Sequence, residues 1–153
     1  MEIKLRLALE SVAEAEPIAP FCVDPHTRLG EVLAGLDEHH GGVLVCHQGM
    51  LVGIFTERDA LRALAQGTPR DTPVGHLMTV SPVTAHPTTS LASAVRKMAV
   101  GGYRRLPVLD DQGRPCGVVT TSGLVHYLVE QFARGIYNLP PQQTGAAQER
   151  EGP

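Results

Sequence analysis

Two copies of one sequence pattern, 64 residues apart, constrain the fold of this chain more than any other feature. Residues 53–59 read GIFTERD, an apolar stretch followed by a polar turn, which is typical of a strand that leads into a helix. Residues 117–123 read GVVTTSG and repeat this pattern, but Gly123 stands where the first copy has Asp59. Two copies indicate a duplicated supersecondary unit in one compact body, because a solenoid needs more repeats.

Each copy is predicted to contain a strand, a helix, a strand, a tight turn, a strand and a closing helix. Apolar residues three and four positions apart after Leu29 and Leu91 predict the first helix of each copy. Turn-forming residues at 47–49 and 110–113 separate two apolar runs, as in a β-hairpin. The fold class is therefore α+β, with two tandem β-α-β-β-α repeats, and the family resemblance given below implies that they are related by a pseudo-twofold axis. The predicted strands are residues 21–25, 42–45, 50–55, 83–87, 105–108 and 116–119, and the closing helices are about 57–65 and 122–134.

The boundaries of the copies follow from breaker residues and composition. Residues 17–66 form the first repeat and residues 77–137 the second, joined by a linker at 67–76 that is rich in glycine, proline and threonine. Residues 138–153 are polar and are predicted to be a flexible tail. Residues 1–16 combine a strand-like alternation with a helix-favouring end, so the sequence assigns them no role.

Composition excludes several classes of protein. The 153 residues carry a net charge of -3 and only 4% aromatic side chains, which argues against a nucleic-acid partner. The chain has no apolar run of about 18 residues and no long apolar N-terminal region, so it is expected to be cytoplasmic, neither spanning a membrane nor secreted.

Cysteine and histidine do not indicate a metal site. The three cysteines, an odd number at wide spacing inside apolar strands, are interpreted as buried small hydrophobic residues: Cys22, Cys46 and Cys116. His39 and His40 are adjacent, and neighbouring helical residues point about 100° apart, so the two do not face one ion from a regular helix. No cysteine or carboxylate pattern nearby completes a tetrahedral zinc set.

Thr56 and Asp59 have two interpretations. In the first they form a capping box, in which Thr56 accepts a hydrogen bond from the third helical amide and Asp59 reaches back, stabilising the helix by about 1 kcal/mol. In the second the helix N-terminus binds a nucleotide phosphate, and Asp59 accepts two hydrogen bonds from a ribose diol. Loss of that carboxylate would weaken binding about tenfold or more. Gly123 cannot make the diol contact, so the second copy is expected to bind a ribonucleotide weakly, to bind something else, or to serve as scaffold.

The order of elements and several segments resemble the tandem cystathionine-β-synthase (CBS) domain pair, also called a Bateman module. The likeness covers about residues 17–137. It rests on GIFTERD at 53–59, the altered copy at 117–123, GYRRLPV at 102–108, and the ending from LVEQF at 128–132 to NLPP at 138–141, which is similar to small bacterial stand-alone members. The resemblance implies two clefts, each joining the heptad of one copy to the first strand, helix start and middle strand of the other.

The resemblance also implies an adenine nucleotide as ligand and a set of site residues. In the intact cleft, Thr56 and Asp59 would contact phosphate and ribose, and the base would lie near the second copy. The full set for this cleft is Gly53, Ile54, Thr56, Arg58, Asp59, Thr89, Ala94 and Tyr103. Tyr103 is either a stacking ring or a core aromatic. Arg58, Arg104 and Arg105 are candidate phosphate clamps or members of a solvated face. The degenerate second cleft would use Thr27, His40, Thr120 and Ser122.

A flat homodimer with a four-helix interface is the assembly that the resemblance implies. Its apolar residues would be Leu61, Leu64, Val125, Leu128 and Val129, although each is expected in the core before it is expected in an interface.

The sequence therefore predicts a ligand-sensing regulatory module that binds AMP, ADP, ATP or a related adenosyl compound and has no catalytic cofactor. No nucleophile–base motif, P-loop or dinucleotide fingerprint indicates an enzyme. The alternative is a dimeric interaction scaffold whose clefts are vacant or filled, and a third reading is a subunit that regulates a separate catalytic chain.

Overall fold

The computed structural model describes residues 2–137 as two similar β-α units in contact through their sheets. The helices are α1 (Glu2–Leu9), α2 (Leu29–Gly35), α3 (Glu57–Ala65), α4 (Leu91–Gly101) and α5 (Thr121–Tyr137). The strands are β1 (Cys22–Val23), β2 (Gly42–His47), β3 (Met50–Thr56), β4 (Thr79–Val80), β5 (Arg105–Leu109) and β6 (Pro115–Thr120). Short 3-10 turns occur at Val12–Ala15, Asp37–His39 and Val74–His76. The predicted tail at 138–153 lies outside the described residues.

Each sheet is completed by the segment that leads into the other copy. In the first sheet, β1 is parallel to β2, and β3 is antiparallel to both β2 and β4. In the second, β5 and β6 are antiparallel, Ala85 bridges Val108 in parallel, and Ile18 bridges Val118 in antiparallel fashion. Ile18 therefore lies beside β6 as Thr79 lies beside β3. The pseudo-twofold repeat is confirmed by this matching set of pairings.

The first predicted strand of the second copy is reduced to one bridge, because Pro107 interrupts the ladder. In the first copy, the Leu44 amide donates to the Phe21 carbonyl at 2.9 Å. Pro107 occupies the equivalent position on β5 and has no N–H to donate. The β5 amide that does donate to this segment is that of Leu109, and its acceptor is the Ala85 carbonyl at 2.8 Å.

Each copy has its own hydrophobic core, and a third, smaller cluster joins them. Phe55 and Leu29 are almost fully buried in the first core, and Leu91 and Leu106 in the second. The joining cluster consists of Leu44, Ile54 and Val118, with Ile18, Cys46 and Leu51 at its margin. Apolar contact between the two sheets therefore fixes one copy against the other.

The N-terminal segment, which the sequence left without a role, completes the core of the second copy. Val12 is fully buried there, and its amide donates to the Thr89 carbonyl at 2.8 Å. The Tyr127 hydroxyl on α5 donates to Glu10. Burial, reinforced by this carboxylate, raises the pKa of Tyr127 to about 12.

The interpretation of the cysteines as buried residues is wrong. Cys22 and Cys116 are exposed, and Cys46 is half-buried. Cys22 lies in a two-residue strand at the sheet edge, and Cys116 lies near the hairpin end of β6, before the buried stretch of that strand begins. Strand membership alone does not bury a side chain, because the core covers only part of each strand.

The closing helices leave most of their large apolar side chains exposed. Leu61 and Leu64 on α3 are 68% and 60% exposed, and Val125 and Val129 on α5 are 54% and 59% exposed. The expectation that they belong to the core is wrong for these four, whereas Leu128 packs against the second core. The inner face of α3 is formed by Ala60 and Ala63, and that of α5 by Leu124, Tyr127 and Leu128. Among residues 2–137, no helix has the length and apolarity needed to cross a membrane.

Candidate ligand clefts

Asp59 is a buried carboxylate at the start of α3, with only 4% of its surface exposed. The predicted capping box between Thr56 and Asp59 is present. The Thr56 amide donates to Asp59 Oδ2 at 3.0 Å, and the Thr56 hydroxyl lies 3.2 Å from the same oxygen. Both contacts fix the carboxylate against the turn between β3 and α3.

The second oxygen of Asp59 is also engaged by the protein. Asp59 Oδ1 accepts from the Thr79 hydroxyl at 3.0 Å and from Arg62 Nη1 at 3.4 Å. A carboxylate offers about four acceptor positions, so all of them are in use. A ribose diol must therefore replace a protein donor. The contact from Arg62, a side chain that is 58% exposed, is the longest of the four.

Residues 78–80, at the start of the second repeat, close the protein over the intact motif. β4 pairs with β3 at Gly53 and Ile54. A Cβ atom at Gly53 would collide with the sulfur of Met78 and lie 2.9 Å from the Thr79 carbonyl oxygen. Glycine is thus required at 53 because the backbone of β4 approaches so closely.

The residues expected around the base lie in the second copy, in three different environments. Thr89 is half-buried and accepts from the His86 amide at 2.9 Å. Ala94 is fully buried in the second core, and Tyr103 is 43% exposed with its ring over Gly101. Within residues 2–137, none of the three hydrogen-bonds to Thr56 or Asp59.

The arginines separate into two groups. Arg58 and Arg104 are exposed. Arg105 instead reaches from β5 across to the first copy, where its Nη2 donates to the His40 carbonyl and lies 4.0 Å from Glu57 Oε1. Its side chain is 15% exposed, and burial lowers its pKa while Glu57 opposes that effect.

A cavity of about 190 Å³ lies at the second cleft, where Thr120 and His40 form part of its lining. Thr27 lines a neighbouring cavity of about 160 Å³. Ser122 is exposed and lines neither cavity. The Thr120 hydroxyl accepts from the Gly123 amide at 3.0 Å, which is an ordinary helix cap without a carboxylate.

Sequence reasoning missed Thr79 and Met78, which cover the intact motif. They lie at the start of the second repeat, and Thr79 is 20 residues from Asp59 along the chain. A comparison of the two copies could have identified Thr79. Ile18 stands at the position equivalent to Thr79, and Gly123 stands at the position equivalent to Asp59, so the hydroxyl and the carboxylate are replaced together. No group of three or more metal-ligating side chains is assembled within the part of the chain that the structure describes.

Comparison with known proteins gives a consistent result. A family model described as "CBS domain" matches residues 12–66 and 74–130. The CBS domain-containing protein YhcV of Bacillus subtilis is 35% identical over 118 residues, which cover 76% of this chain and 84% of YhcV.

Two solved structures resemble the fold over most of the chain. CBSX2 in complex with AMP has a TM-score of 0.67 and 28% identity, with coverage of 78% of this chain and 96% of that one. The CBS domain pair of protein MJ0100 in complex with 5′-methylthioadenosine and S-adenosyl-L-methionine has a TM-score of 0.72 and 25% identity, with coverage of 80% and 98%.

Proposed function

Because the chain belongs to the CBS domain family and carries the domain twice, we propose that it is a regulatory module that binds an adenine nucleotide or a related adenosyl compound beside Asp59. The AMP in the CBSX2 complex and the adenosyl compounds in the MJ0100 complex support this ligand class. The module acts by binding, and it regulates a partner protein rather than catalysing a reaction.

The observation that carries the proposal is the pair of hydroxyl groups around the Asp59 carboxylate. The Thr56 hydroxyl lies 3.2 Å from one oxygen, and the Thr79 hydroxyl donates to the other at 3.0 Å. A ribose presents its two vicinal hydroxyls to a carboxylate in the same way, one to each oxygen. The ribose replaces the Thr79 hydroxyl. In the first turn of α3 the Glu57 amide donates to the Gly41 carbonyl at 3.0 Å and the Asp59 amide is engaged by the capping box, so the Arg58 amide and the helix dipole are what this terminus offers a phosphate.

Replacement of Thr79 also supplies a readout of ligand binding. Thr79 belongs to β4, which is only two residues long and leads directly into the second copy. A ligand that takes the place of Thr79 weakens the pairing of β4 with β3 and changes the angle between the copies. The ligand shifts this equilibrium through its higher affinity for the open arrangement.

A homodimer is part of the same proposal. The exposed residues Leu61 on α3 and Val125 on α5 lie at equivalent positions in the two copies, so one chain presents two related helix faces. A second copy of the chain offers the same two faces and can cover them in a self-complementary, four-helix interface. Movement between the copies then changes the surface of the dimer.

The test is calorimetry of the full chain with AMP and with 2′-deoxy-AMP. The deoxy compound lacks one hydrogen bond to a charged group, so its affinity should be lower by about tenfold. Asp59→Asn should lower the affinity for AMP by a similar factor. Asp71→Asn, which changes an exposed carboxylate in the linker, should leave the affinity for AMP unchanged. Equal affinities of the unchanged protein for AMP and the deoxy compound would refute the role of Asp59, independently of whether the variants fold.

A second candidate function is a dimeric interaction scaffold that binds no nucleotide. The closure of the motif by Met78 and Thr79 favours it, because the carboxylate is already satisfied by protein donors. Melting temperatures measured with AMP, ADP, ATP, 5′-methylthioadenosine and S-adenosyl-L-methionine separate the two functions. A scaffold gives no rise with any of them, and a sensor gives a rise that depends on Asp59.

A further inference from the structure

Two of the three cysteines lie side by side on neighbouring strands of the first copy. Cys22 on β1 pairs with Leu44 on β2, and Cys46 follows Leu44 by two residues. Side chains two residues apart point to the same face of a strand, so the Cys22 and Cys46 thiols are diagonal neighbours on one face of the sheet. The two thiols are in contact, and both are free.

The two thiols differ in their access to solvent. Cys22 is exposed at the edge of the sheet, whereas Cys46 is half-buried at the margin of the cluster that joins the copies. An oxidant that arrives from solvent therefore meets Cys22 first and finds Cys46 behind it. An accessible cysteine beside a second thiol that can resolve its oxidised form is the usual arrangement of a redox-sensitive site.

The short strand β1 is the part of this sheet that moves most easily. It is two residues long and lies at the edge, with β2 as its neighbour. Diagonal neighbours on adjacent strands are about 7–8 Å apart at Cα, and a disulfide spans up to about 7 Å. A shift of β1 by about 1 Å toward Cys46 is therefore enough to close a bond between the two sulfur atoms. Cys116 lies on β6 in the other sheet, so it is not part of this pair.

We infer that Cys22 and Cys46 form an oxidation site, at which hydrogen peroxide converts the two thiols into a disulfide within one chain. The Cys22 thiolate attacks one oxygen of the peroxide, the O–O bond breaks, and the released hydroxide takes up a proton and becomes water. The product is a sulfenic acid at Cys22. The Cys46 sulfur then attacks the Cys22 sulfur, the S–O bond breaks, and the leaving hydroxide carries away the Cys46 proton as a second water. The two thiols lose two electrons and the peroxide gains them.

The disulfide fastens an edge that is otherwise held by few hydrogen bonds. The Leu44 amide donates to the Phe21 carbonyl at 2.9 Å, one residue before Cys22. This amide exchanges with solvent when the short strand opens locally, and the disulfide restrains the strand at the next residue. Because Phe21 also lines the cavity of about 190 Å³, oxidation makes one wall of that cavity more rigid. The inference does not depend on nucleotide binding.

Peptide mass mapping of the full chain after treatment with hydrogen peroxide tests the inference. Trypsin cleavage after Arg28, Arg58 and Arg105 places the three cysteines in three different peptides. The expected product is one linked pair that contains Cys22 and Cys46, with a loss of about 2 Da that dithiothreitol reverses. A link to Cys116, a link between two chains, or a sulfinic acid at Cys22 beside an unreacted Cys46 would overturn the inference.

Three variants assign the two roles. In Cys46→Ser the sulfenic acid has no thiol to react with, so dimedone, which captures sulfenic acids, should label Cys22. In Cys22→Ser the thiol of Cys46 should remain unlabelled, because the accessible thiol is the one that reacts with peroxide. Cys116→Ser is the matched control and should form the disulfide at the unchanged rate within about twofold. Equal dimedone labelling of Cys46 in Cys22→Ser and of Cys22 in Cys46→Ser would contradict these roles.

Hydrogen exchange shows whether the bond forms within the native sheet. Exchange of the Leu44 amide should become slower by about tenfold or more in the oxidised chain. The same peroxide treatment of Cys46→Ser should leave this exchange rate unchanged, since no bond can form. Faster exchange of the Leu44 amide after oxidation would mean that the disulfide breaks the pairing of β1 with β2, which is incompatible with a site built into the fold.

Discussion

The hydroxyl of Thr79 donates a hydrogen bond of 3.0 Å to Asp59, and this bond joins β4, at the start of the second repeat, to the first turn of α3. In the other cleft the equivalent positions are Ile18 and Gly123, so the donor and the acceptor are replaced together. The two residues therefore act as a unit that closes one cleft and is missing from the other.

Removal of the Thr79 hydroxyl should destabilise the ligand-free protein and strengthen the binding of AMP. Thr79→Val removes the shorter of the two hydrogen bonds to Asp59 Oδ1 and leaves that oxygen with the 3.4 Å contact from Arg62, at a cost of about 1–3 kcal/mol. For a chain of this size, each kcal/mol lowers the melting temperature by about 2–4 °C. The rise in melting temperature on addition of AMP should be larger than in the unchanged protein, because a ribose hydroxyl supplies the lost donor. Thr79→Ser keeps the hydroxyl and is the control. The same AMP-induced rise in both variants would contradict replacement of Thr79 by the ribose.

Restoration of the missing carboxylate should create a second ribonucleotide site. A Cβ atom at Gly123 would lie 2.9 Å from Thr120 Oγ1, so this hydroxyl must shift slightly, and a new carboxylate can then engage it as Asp59 engages Thr56. Calorimetry of Gly123→Asp is expected to show about one additional AMP per chain, with the charge-assisted bonds as its source. Gly123→Asn has the same shape without the charge and should show no addition. An unchanged stoichiometry in the aspartate variant would mean that the carboxylate alone does not make a ribose site.

Charge on the exposed face of α3 should dissociate the proposed homodimer. Leu61 is 68% exposed, and Leu61→Glu would place a carboxylate in the centre of the apolar interface, where it has no partner. Sedimentation velocity should show a dimer for the unchanged chain and a monomer for this variant. Leu9→Glu, at a leucine on α1 that is 74% exposed, should remain a dimer. A monomeric unchanged chain, or equal dissociation by both variants, would exclude α3 as the interface.

Cys46 should resist alkylation in the folded protein. Burial, followed by contact with the Cys22 thiol, raises the pKa of Cys46 to about 12. Because the pKa is raised, the thiol stays protonated at pH 8 and only about one molecule in 10⁴ carries the reactive thiolate. Mass spectrometry after iodoacetamide treatment at pH 8 should find Cys46 labelled far more slowly in the folded chain than in urea. Equal rates in the two states would show that the thiol is not shielded.

Local patterns were enough to predict most of the secondary structure. The prediction of a helix at about residues 57–65 matches α3, because the capping residues Thr56 and Asp59 and the spacing of apolar residues are local signals. The hairpin turn at Gln48 and Gly49 has φ values of 52° and 82°, as expected for a two-residue turn that needs the left-handed region. The N-terminal helix α1 escaped prediction because its apolar residues alternate as in a strand, whereas its position is set by contact of Leu7 with the core of the second copy, far away in sequence.

By itself the sequence determined the duplicated unit, the family and the identity of Asp59 as the distinguishing carboxylate, because these depend on residues close together along the chain. Only the tertiary structure decided that Thr79 satisfies Asp59 and that Arg105 belongs to the second cleft. Both outcomes arise from contacts between the copies, where the backbone pairing of β3 with β4 and the space above Gly41 and Gly42 bring distant residues together. Spacing along the chain carries no information about such contacts, since they are set by how the two sheets meet.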